Sequence, residues 1–243
     1  MKFDQNLLLT RRRQTPPRWM KFAAPAFAAV ATVSVAGSLA LGLVGPAASP
    51  ASASAAVRTA SPIAAAAQAA LDVLAGATAD PAPTHWVRRT MDHAEFAARR
   101  RDAAAEVASA LGIDAAALDA SWVAAGPTRL KVVLTALAQV GVRYRYADED
   151  PNDGFDCSGL TAYAWTVAGI DLPHASDTQL RGGVRRGADQ ARAGDLVGYS
   201  GHVMLYLGVD QAIIHAPYSG RNVEVQLAGR WSGRFTDPSQ PVA

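Results

Sequence analysis

Cys157 is the only cysteine among the 243 residues, and its surroundings favour a nucleophile. It precedes a stretch in which apolar residues recur at helical spacing from Leu160 to Ala168, and Gly169 follows as a C-terminal cap. A thiolate attacks carbonyl groups, and the partial positive charge at a helix N-terminus lowers the pKa of a cysteine. An isolated cysteine is otherwise usually a small buried hydrophobe, so the interpretation depends on companion residues.

Two histidines supply candidate companions. His202 begins a β-rich run, and His215 ends the next one. A two-residue loop at Gly208 and Val209 would set the histidines directly opposite each other in an antiparallel hairpin, with Cβ atoms about 4.5 to 5.5 Å apart. One imidazole would then orient the other beside the thiol, as nucleophilic catalysis requires. A four-residue loop also keeps both rings on one face, whereas a three-residue loop without a bulge separates them.

The same residues allow a second interpretation. Cys157, His202, His215 and Asp195 could be drawn as a zinc site, but their spacing matches no common ligand pattern. A histidine in an apolar strand can also be a structural residue with satisfied hydrogen bonds. We therefore predict neither a metal nor an organic cofactor.

The N-terminal part has the composition of an export signal. Several basic residues between Arg11 and Lys21 precede an apolar run from Phe22 to Val44, and small-residue cleavage sites follow at 51–55. The apolar run also has the roughly 20 residues needed to span a bilayer, so an uncleaved membrane anchor stays open. Both options predict a secreted or envelope-associated protein, in which a single cysteine has no internal disulfide partner.

We divide the chain into a leader (1–56), an alanine-rich segment (57–126) and a C-terminal domain (127–243). The segment predicts two or three short helices and fits a linker, a partner-binding element or an inhibitory pro-region. The C-terminal domain shows helices first and strands afterwards, which indicates an α+β fold. The net charge of +2 does not argue for nucleic acid, because the leader holds several of the arginines. We expect a monomer.

Several short motifs between about residues 128 and 235 occur in an order that resembles the NlpC/P60 family of papain-like cysteine peptidases. The motifs are Gly141-Val142-Arg143-Tyr144, Phe155-Asp156-Cys157-Ser158-Gly159-Leu160, Ala168-Gly169-Ile170-Asp171-Leu172-Pro173, Gly194-Asp195-Leu196-Val197, His202-Val203-Met204-Leu205-Tyr206-Leu207-Gly208 and Ile214-His215-Ala216. Their number and order make the resemblance specific.

The resemblance implies a papain-like fold in which the nucleophile lies on a helix packed against an antiparallel sheet that carries the histidines. It implies hydrolysis of amide bonds in peptidoglycan stem peptides, commonly between γ-D-glutamate and a diamino acid. Cys157 would be the nucleophile, His202 the general base and then acid, and His215 the orienting residue. The interval from His202 to His215 is one residue longer than the family pattern.

Further site residues are also implied by the resemblance alone. Tyr144 matches a tyrosine near the oxyanion, and Asp156 and Ser158 match positions that in some members recognise a free amine of the stem peptide. The loop at 145–148 departs from the family pattern, and His174 replaces a frequent arginine, which we interpret as a structural or substrate-facing cation.

Other activities stay open. An amidase or acyltransferase of the same superfold would act on a different bond or acceptor, and a catalytically silent relative would bind the wall without cleaving it. In each case the expected partner is peptidoglycan or its stem peptides.

Overall fold

The structure is a computed structural model that describes residues 61–79, 85–229 and 234–241. The predicted leader at 1–56 lies outside the described residues. Within the described ranges, no helix combines the length and apolar character needed to cross a membrane.

Four helices come first in the described part of the chain. They are α1 (Pro62–Ala79), α2 (His85–Leu111), α3 (Ala115–Ala125) and α4 (Pro127–Leu137). The prediction of short helices before residue 127 is wrong for α2, which has 27 residues. Its many alanines have high helix propensity, and Arg99 lies 3.7 Å from Glu95 one turn earlier. The helix stops before Gly112, which adopts a φ of 69°.

A two-stranded sheet and a larger antiparallel sheet follow. The elements are β1 (Glu149–Asp150), β2 (Gly154–Phe155), α5 (Cys157–Val167), α6 (Ser176–Arg181), β3 (Gly183–Arg186), a 3-10 turn (Ala188–Gln190), β4 (Leu196–Tyr199), β5 (His202–Tyr206), β6 (Ala212–His215), β7 (Glu224–Leu227) and β8 (Phe235–Pro241). In the described chain the larger sheet has the order β3-β8-β4-β5-β6-β7. The α+β prediction is confirmed.

Both faces of the larger sheet are covered at its centre. Val203 and Leu205 of β5 join the main hydrophobic core with α4 and α5, while Met204 and Tyr206 join a smaller cluster on the other face. This alternation follows from the two-residue repeat of a strand. The strand is buried along its whole length, so its start at His202 is held in a defined position.

Helices α1 to α3 belong to the same main core. The indole of the fully buried Trp122 on α3 donates a hydrogen bond to the carbonyl of Leu207 at 2.8 Å, and the Ser121 hydroxyl donates to the Gly208 carbonyl at 3.0 Å. A Cβ on Gly208 would lie 2.0 Å from the Ser121 oxygen, so the turn and α3 meet at a glycine. The segment before residue 127 thus packs on the turn between β5 and β6.

A buried ion cluster ties α4 to the sheet. Arg129 donates to Asp195 at 2.7 Å and also pairs with Asp237, which in turn pairs with Arg186. The Arg129 guanidinium lies 5.7 Å from the centre of the Trp165 ring on α5. Two arginines and two aspartates therefore form ion pairs with one another away from water. Buried charges are normally paired in this way.

Candidate active site

Cys157 is the first residue of α5, as the sequence predicts, and Asp156 is the N-cap. The Asp156 carboxylate accepts from the backbone N–H of Gly159 at 2.7 Å and from the Ser158 hydroxyl at 3.0 Å. A side-chain cap of this kind satisfies a backbone donor that the helix cannot use and fixes the first turn. The thiol is consequently held in one place, with 9% of the residue exposed.

The electrostatic surroundings of the thiol differ from the sequence-based expectation. Burial raises the pKa of Cys157 and the Asp156 charge adds to this, while the backbone N–H groups of Val203 and Ser158 act in the lowering direction. Burial is the largest effect, so the predicted lowering of the pKa is wrong, because desolvation disfavours the thiolate. The contact with Val203 also places the sulfur beside the first residues of β5.

His202 and His215 form a buried pair. Nε2 of His202 lies 2.9 Å from Nδ1 of His215, and the two rings meet edge to face at 75°. The register pairs Leu205 with Ile214, and the N–H of Leu207 donates to the carbonyl of Ala212, so the loop has four residues, 208–211, the longer of the two loops that keep both rings on one face. His202 therefore lies diagonally from His215 on the same face, not directly opposite. Asp210, with a φ of 47°, helps the longer turn to close.

Both imidazoles favour the neutral form. Burial lowers the pKa of His202 to about 4, and His215 contributes to the lowering. Burial also lowers the pKa of His215, against an opposing effect of Glu224. Since Nε2 of His202 is engaged with His215, Nδ1 is the ring nitrogen left to exchange a proton with the thiol.

A cavity of about 440 Å³ opens above the thiol. Its lining residues are Tyr144, Tyr146, Ala147, Asp156, Cys157, Ser158, His174, Ala175, Ser176, Asp177 and Gly201. The cavity is thus lined by the predicted nucleophile and by the predicted site residues Tyr144, Asp156 and Ser158. Gly201, which precedes His202 in the chain, also lines it. Among the described residues, none between 61 and 126 lines it. The role of residues 57–126 stays a prediction.

Tyr144 lies close to the thiol. Burial raises the pKa of its phenol, and the neighbouring Asp156 carboxylate and Cys157 act in the same direction. A phenol with a raised pKa stays protonated and can donate a hydrogen bond. The backbone N–H of Tyr144 donates to the carbonyl of Arg221 at 2.8 Å, which ties this residue to the segment before β7.

Asp156 is already heavily used within the protein. Oδ1 accepts from Ser158, Gly159 and Nε2 of His174, the last at 2.9 Å, while Oδ2 accepts from Ala147 at 2.9 Å. Burial alone would raise its pKa, but the hydrogen bonds from His174 and Gly159 outweigh burial, and the pKa is lowered. The same contact raises the pKa of His174. His174 therefore pairs with the N-cap carboxylate, and this contact favours its protonated form.

Of the four residues considered for a zinc site, Asp195 is engaged with another partner. Asp195 is fully buried and hydrogen-bonded to Arg129, away from the histidine pair. In the described part of the chain, no group of three or more histidine, cysteine or acidic side chains is arranged to hold a metal ion.

Two residues that support the candidate active site, Gln179 and Glu224, have no local signal in the sequence. The Gln179 amide on α6 donates to the carbonyls of Ser158 at 2.9 Å and Pro173 at 2.8 Å, and it accepts from Thr161 at 2.6 Å. It thereby holds α6, one wall of the cavity, against α5. Glu224 is the other contributor, because β7 places it opposite His215. Both depend on pairings between distant parts of the chain.

Known proteins resemble the C-terminal half. Residues 141–239 match the NlpC/P60 family. A probable endopeptidase of Mycobacterium tuberculosis is 38% identical over 104 residues, which are 42% of this chain and 26% of that protein. The peptidoglycan endopeptidase RipA of the same species is 36% identical over 110 residues, or 39% and 23% of the two chains. The chain thus spans about a quarter of the length of these curated relatives.

One solved structure is similar over nearly all of its own chain. RipD of Mycobacterium tuberculosis, described as a non-catalytic NlpC/p60 domain protein adapted to peptidoglycan binding, is 30% identical, with 45% of this chain and 94% of that chain covered and a TM-score of 0.37. The family match, the relatives and the ordered motifs agree. Through the domain at residues 141–239, the chain belongs to the NlpC/P60 family.

Proposed function

We propose that the chain is a cell-wall hydrolase that cleaves amide bonds in peptidoglycan stem peptides with Cys157 as the nucleophile. The observation that carries the proposal is the buried His202–His215 pair, 2.9 Å apart, beside a capped helix that presents a single thiol at the floor of the cavity. A nucleophile, a base and a group that orients the base are the parts that thiol-dependent acyl transfer requires.

The scissile bond is part of the proposal. We infer cleavage between γ-D-glutamate and a diamino acid, in line with the family resemblance. The similarity to proteins named peptidoglycan endopeptidases supports a peptide bond of the wall as the target. The cavity volume of about 440 Å³ suits a short peptide segment better than a folded protein.

The proposed reaction begins with a neutral thiol and a neutral imidazole. Nδ1 of His202 takes the proton from the sulfur of Cys157, and the thiolate attacks the amide carbonyl. The Tyr144 hydroxyl and the backbone N–H of Cys157 stabilise the oxyanion. The C–N bond then breaks, and the imidazolium gives its proton to the leaving amine. Water attacks the thioester with His202 as base, which releases the carboxylate and restores the thiol.

Asp156 and Ser158 stay predictions as substrate contacts. Both line the cavity, and a carboxylate with a lowered pKa is charged at neutral pH and attracts a free amine. Asp156 already accepts four hydrogen bonds, so a substrate amine would share the carboxylate with these donors. We propose that it holds the first turn of α5 as well as the substrate.

The location outside the cytoplasm is also proposed. The substrate lies in the cell envelope, and residues 1–56 have the composition of an export signal. Cleavage of this leader and retention as an anchor would both deliver residues 57–243 to the wall.

The proposal is tested with purified peptidoglycan and stem tetrapeptides, incubated with the parent chain and with Cys157→Ala. We expect fragments cut after D-glutamate from the parent and at least a 10³-fold lower rate from the variant, because the nucleophile is lost. Mass spectrometry separates this cut from that of an amidase. Equal product release by both proteins would refute the nucleophile. Binding to the wall without any product from the folded parent would favour a silent wall-binding protein.

A further inference from the structure

His215 has a second charged neighbour beyond His202. Strands β6 and β7 pair His215 with Glu224, and the Glu224 carboxylate lies 3.7 Å from Nε2 of His215. This Nε2 is buried and makes no hydrogen bond to any described residue. The unpartnered nitrogen therefore faces a carboxylate across the sheet.

The tautomers of the two rings follow from the proposed reaction together with the contact between the rings. Nδ1 of His202 must be unprotonated to act as the base, so its Nε2 carries the hydrogen and donates to Nδ1 of His215. Nδ1 of His215 is then the acceptor, and the proton of that ring belongs on Nε2. Nε2 of His215 lies 3.7 Å from the carboxylate of Glu224, which is the charged acceptor, beside the neutral Gln226, that would favour this tautomer.

Glu224 is itself held in place. Both of its carboxylate oxygens accept from Nη2 of Arg221 at 2.6 Å, and the carbonyl of Arg221 accepts from Tyr144. Arg221 also lies 5.7 Å from the centre of the Tyr218 ring. The carboxylate is therefore attached to the same backbone segment that positions Tyr144.

We propose that Glu224 is a positioning residue of the active site, whose carboxylate keeps the proton of His215 on Nε2 and so orients His202 toward Cys157. The chain of contacts would run from Cys157 through His202 and His215 to Glu224. The inference rests on the proposed function, since it assigns Glu224 a part in the same reaction.

The charges around His215 predict opposite effects for two neighbours. Besides His202 on β5, the side chains that face His215 are Glu224 and Gln226 of β7, with Arg221 just before that strand. Glu224 acts to raise the pKa of His215, and Arg221 acts to lower it. Removing the charge of Glu224 and removing the charge of Arg221 should therefore shift the low-pH limb of the kcat/KM profile, the acid limb, in opposite directions.

The kinetic test uses the full chain with Glu224→Asp, Glu224→Gln, Glu224→Ala and Arg221→Gln, and measures kcat, KM and the pH profile of kcat/KM. We expect kcat to fall progressively from Glu224→Asp through Glu224→Gln to Glu224→Ala, because the orientation of the base is lost. The loss should be about 10- to 100-fold for Glu224→Ala, and KM should stay within about twofold of the parent value. The acid limb should move to lower pH in Glu224→Gln and to higher pH in Arg221→Gln.

The matched control is Glu95→Gln, which breaks an exposed glutamate–arginine pair on α2 and should leave kcat and the acid limb unchanged. An unchanged kcat and acid limb in both Glu224→Gln and Glu224→Ala would overturn the inference. A shift of the acid limb in the same direction in Glu224→Gln and Arg221→Gln would also overturn it. A loss of structure alone would not depend on whether a negative or a positive charge is removed.

A readout independent of activity separates this inference from the proposed function. In the full chain labelled with ¹⁵N-histidine, NMR should show His215 protonated at Nε2 in the parent and a mixture of tautomers in Glu224→Ala. If the parent releases no wall fragments yet shows this change, the proposed function fails and the role of Glu224 in the tautomer stands. If the tautomer is the same in both proteins, the inference fails even in an active enzyme.

Discussion

Burial favours the neutral forms of both Cys157 and His202. It raises the pKa of the thiol and lowers the pKa of the imidazole to about 4, because desolvation penalises whichever form is charged. The resting pair is therefore a thiol beside a neutral base. Proton transfer in the proposed reaction then accompanies attack, and the polar groups at the cavity floor must stabilise the ions that form only transiently.

The lowered pKa of His202 predicts an acid-sensitive fold. An unfolded histidine titrates near 6.5, whereas folded His202 titrates at about 4. Between these values the unfolded chain binds more protons, so the free energy of unfolding falls as pH decreases. We expect this residue to lower the stability by about 2 kcal/mol between pH 7 and pH 5. Urea unfolding of the parent and of His202→Asn at both pH values measures the difference.

The comparison with His202→Asn removes the contribution of groups that titrate in both proteins. His174, whose pKa is raised, acts with the opposite sign and cancels in the difference. His93→Gln, a change of an exposed histidine on α2, is the matched control. Equal pH dependence of stability in the parent and His202→Asn would contradict the burial argument.

Residues with a local signal could be predicted from the sequence, and those that depend on distant pairing could not. The apolar spacing after Cys157 predicts a helix start there, because such a pattern acts within a few residues, and the structure confirms it. Glu224 acquires its place only when β7 pairs with β6, and Arg129 only when α4 meets the start of β4. The sequence predicts a lowered pKa for the thiol of Cys157, whereas burial, which is a property of the folded core, raises it.

At the scale of elements, the N-terminus of α5 fits closely beneath the segment that carries β1. The backbone N–H of Asp156 donates to the carbonyl of Asp148 at 3.0 Å, and a Cβ on Gly159 would lie 2.1 Å from that same carbonyl oxygen. It would also lie 3.1 Å from Nε2 of His174. The absence of a side chain at Gly159 is what lets the cavity wall and the helix approach each other.

We therefore predict that Gly159→Ala destabilises the protein and lowers hydrolysis, although alanine is the better helix former by about 1 kcal/mol. The clash with backbone should cost more than this gain, about 1 to 3 kcal/mol. Gly76→Ala on α1 is the matched control, because a Cβ there meets nothing within 4 Å and should stabilise the helix. Thermal unfolding of both variants decides, and a gain in midpoint for Gly159→Ala would refute the close approach.

The hairpin shows where element-level prediction stops. The β-rich runs that become β5 and β6 are visible in the sequence, but His202 and His215 share a face only because the loop between the strands has an even number of residues. The loop length depends on how Gly208 and Asp210 close the turn and on the contact between Gly208 and Ser121 of α3. That contact joins residues 87 positions apart, which no local pattern predicts.

At the scale of the whole molecule, the alanine-rich helices and the sheet have one main core. Ala67 of α1, Val107 of α2 and Trp122 of α3 are fully buried in the same cluster as Leu205 and Ile214 of the sheet. Of these helices, α3 covers the turn of the hairpin that carries the histidine pair. The separation of residues 57–126 from 127–243 stays a prediction, and the shared core provides a way to test it.

We expect residues 127–243 alone to unfold at lower temperature and with less cooperativity than residues 61–243, because truncation exposes the apolar surface that α1 to α3 cover.

In the full chain, Trp122→Phe should lower the free energy of unfolding by about 1 to 3 kcal/mol, since it leaves the buried Leu207 carbonyl without its donor. The exposed Val123→Ala on the same helix is the matched control. Urea unfolding and wall hydrolysis, measured together, report whether the hairpin and its histidines keep their geometry. If residues 127–243 match the longer protein in both, the first three helices form a separable segment, and their role lies outside the active site.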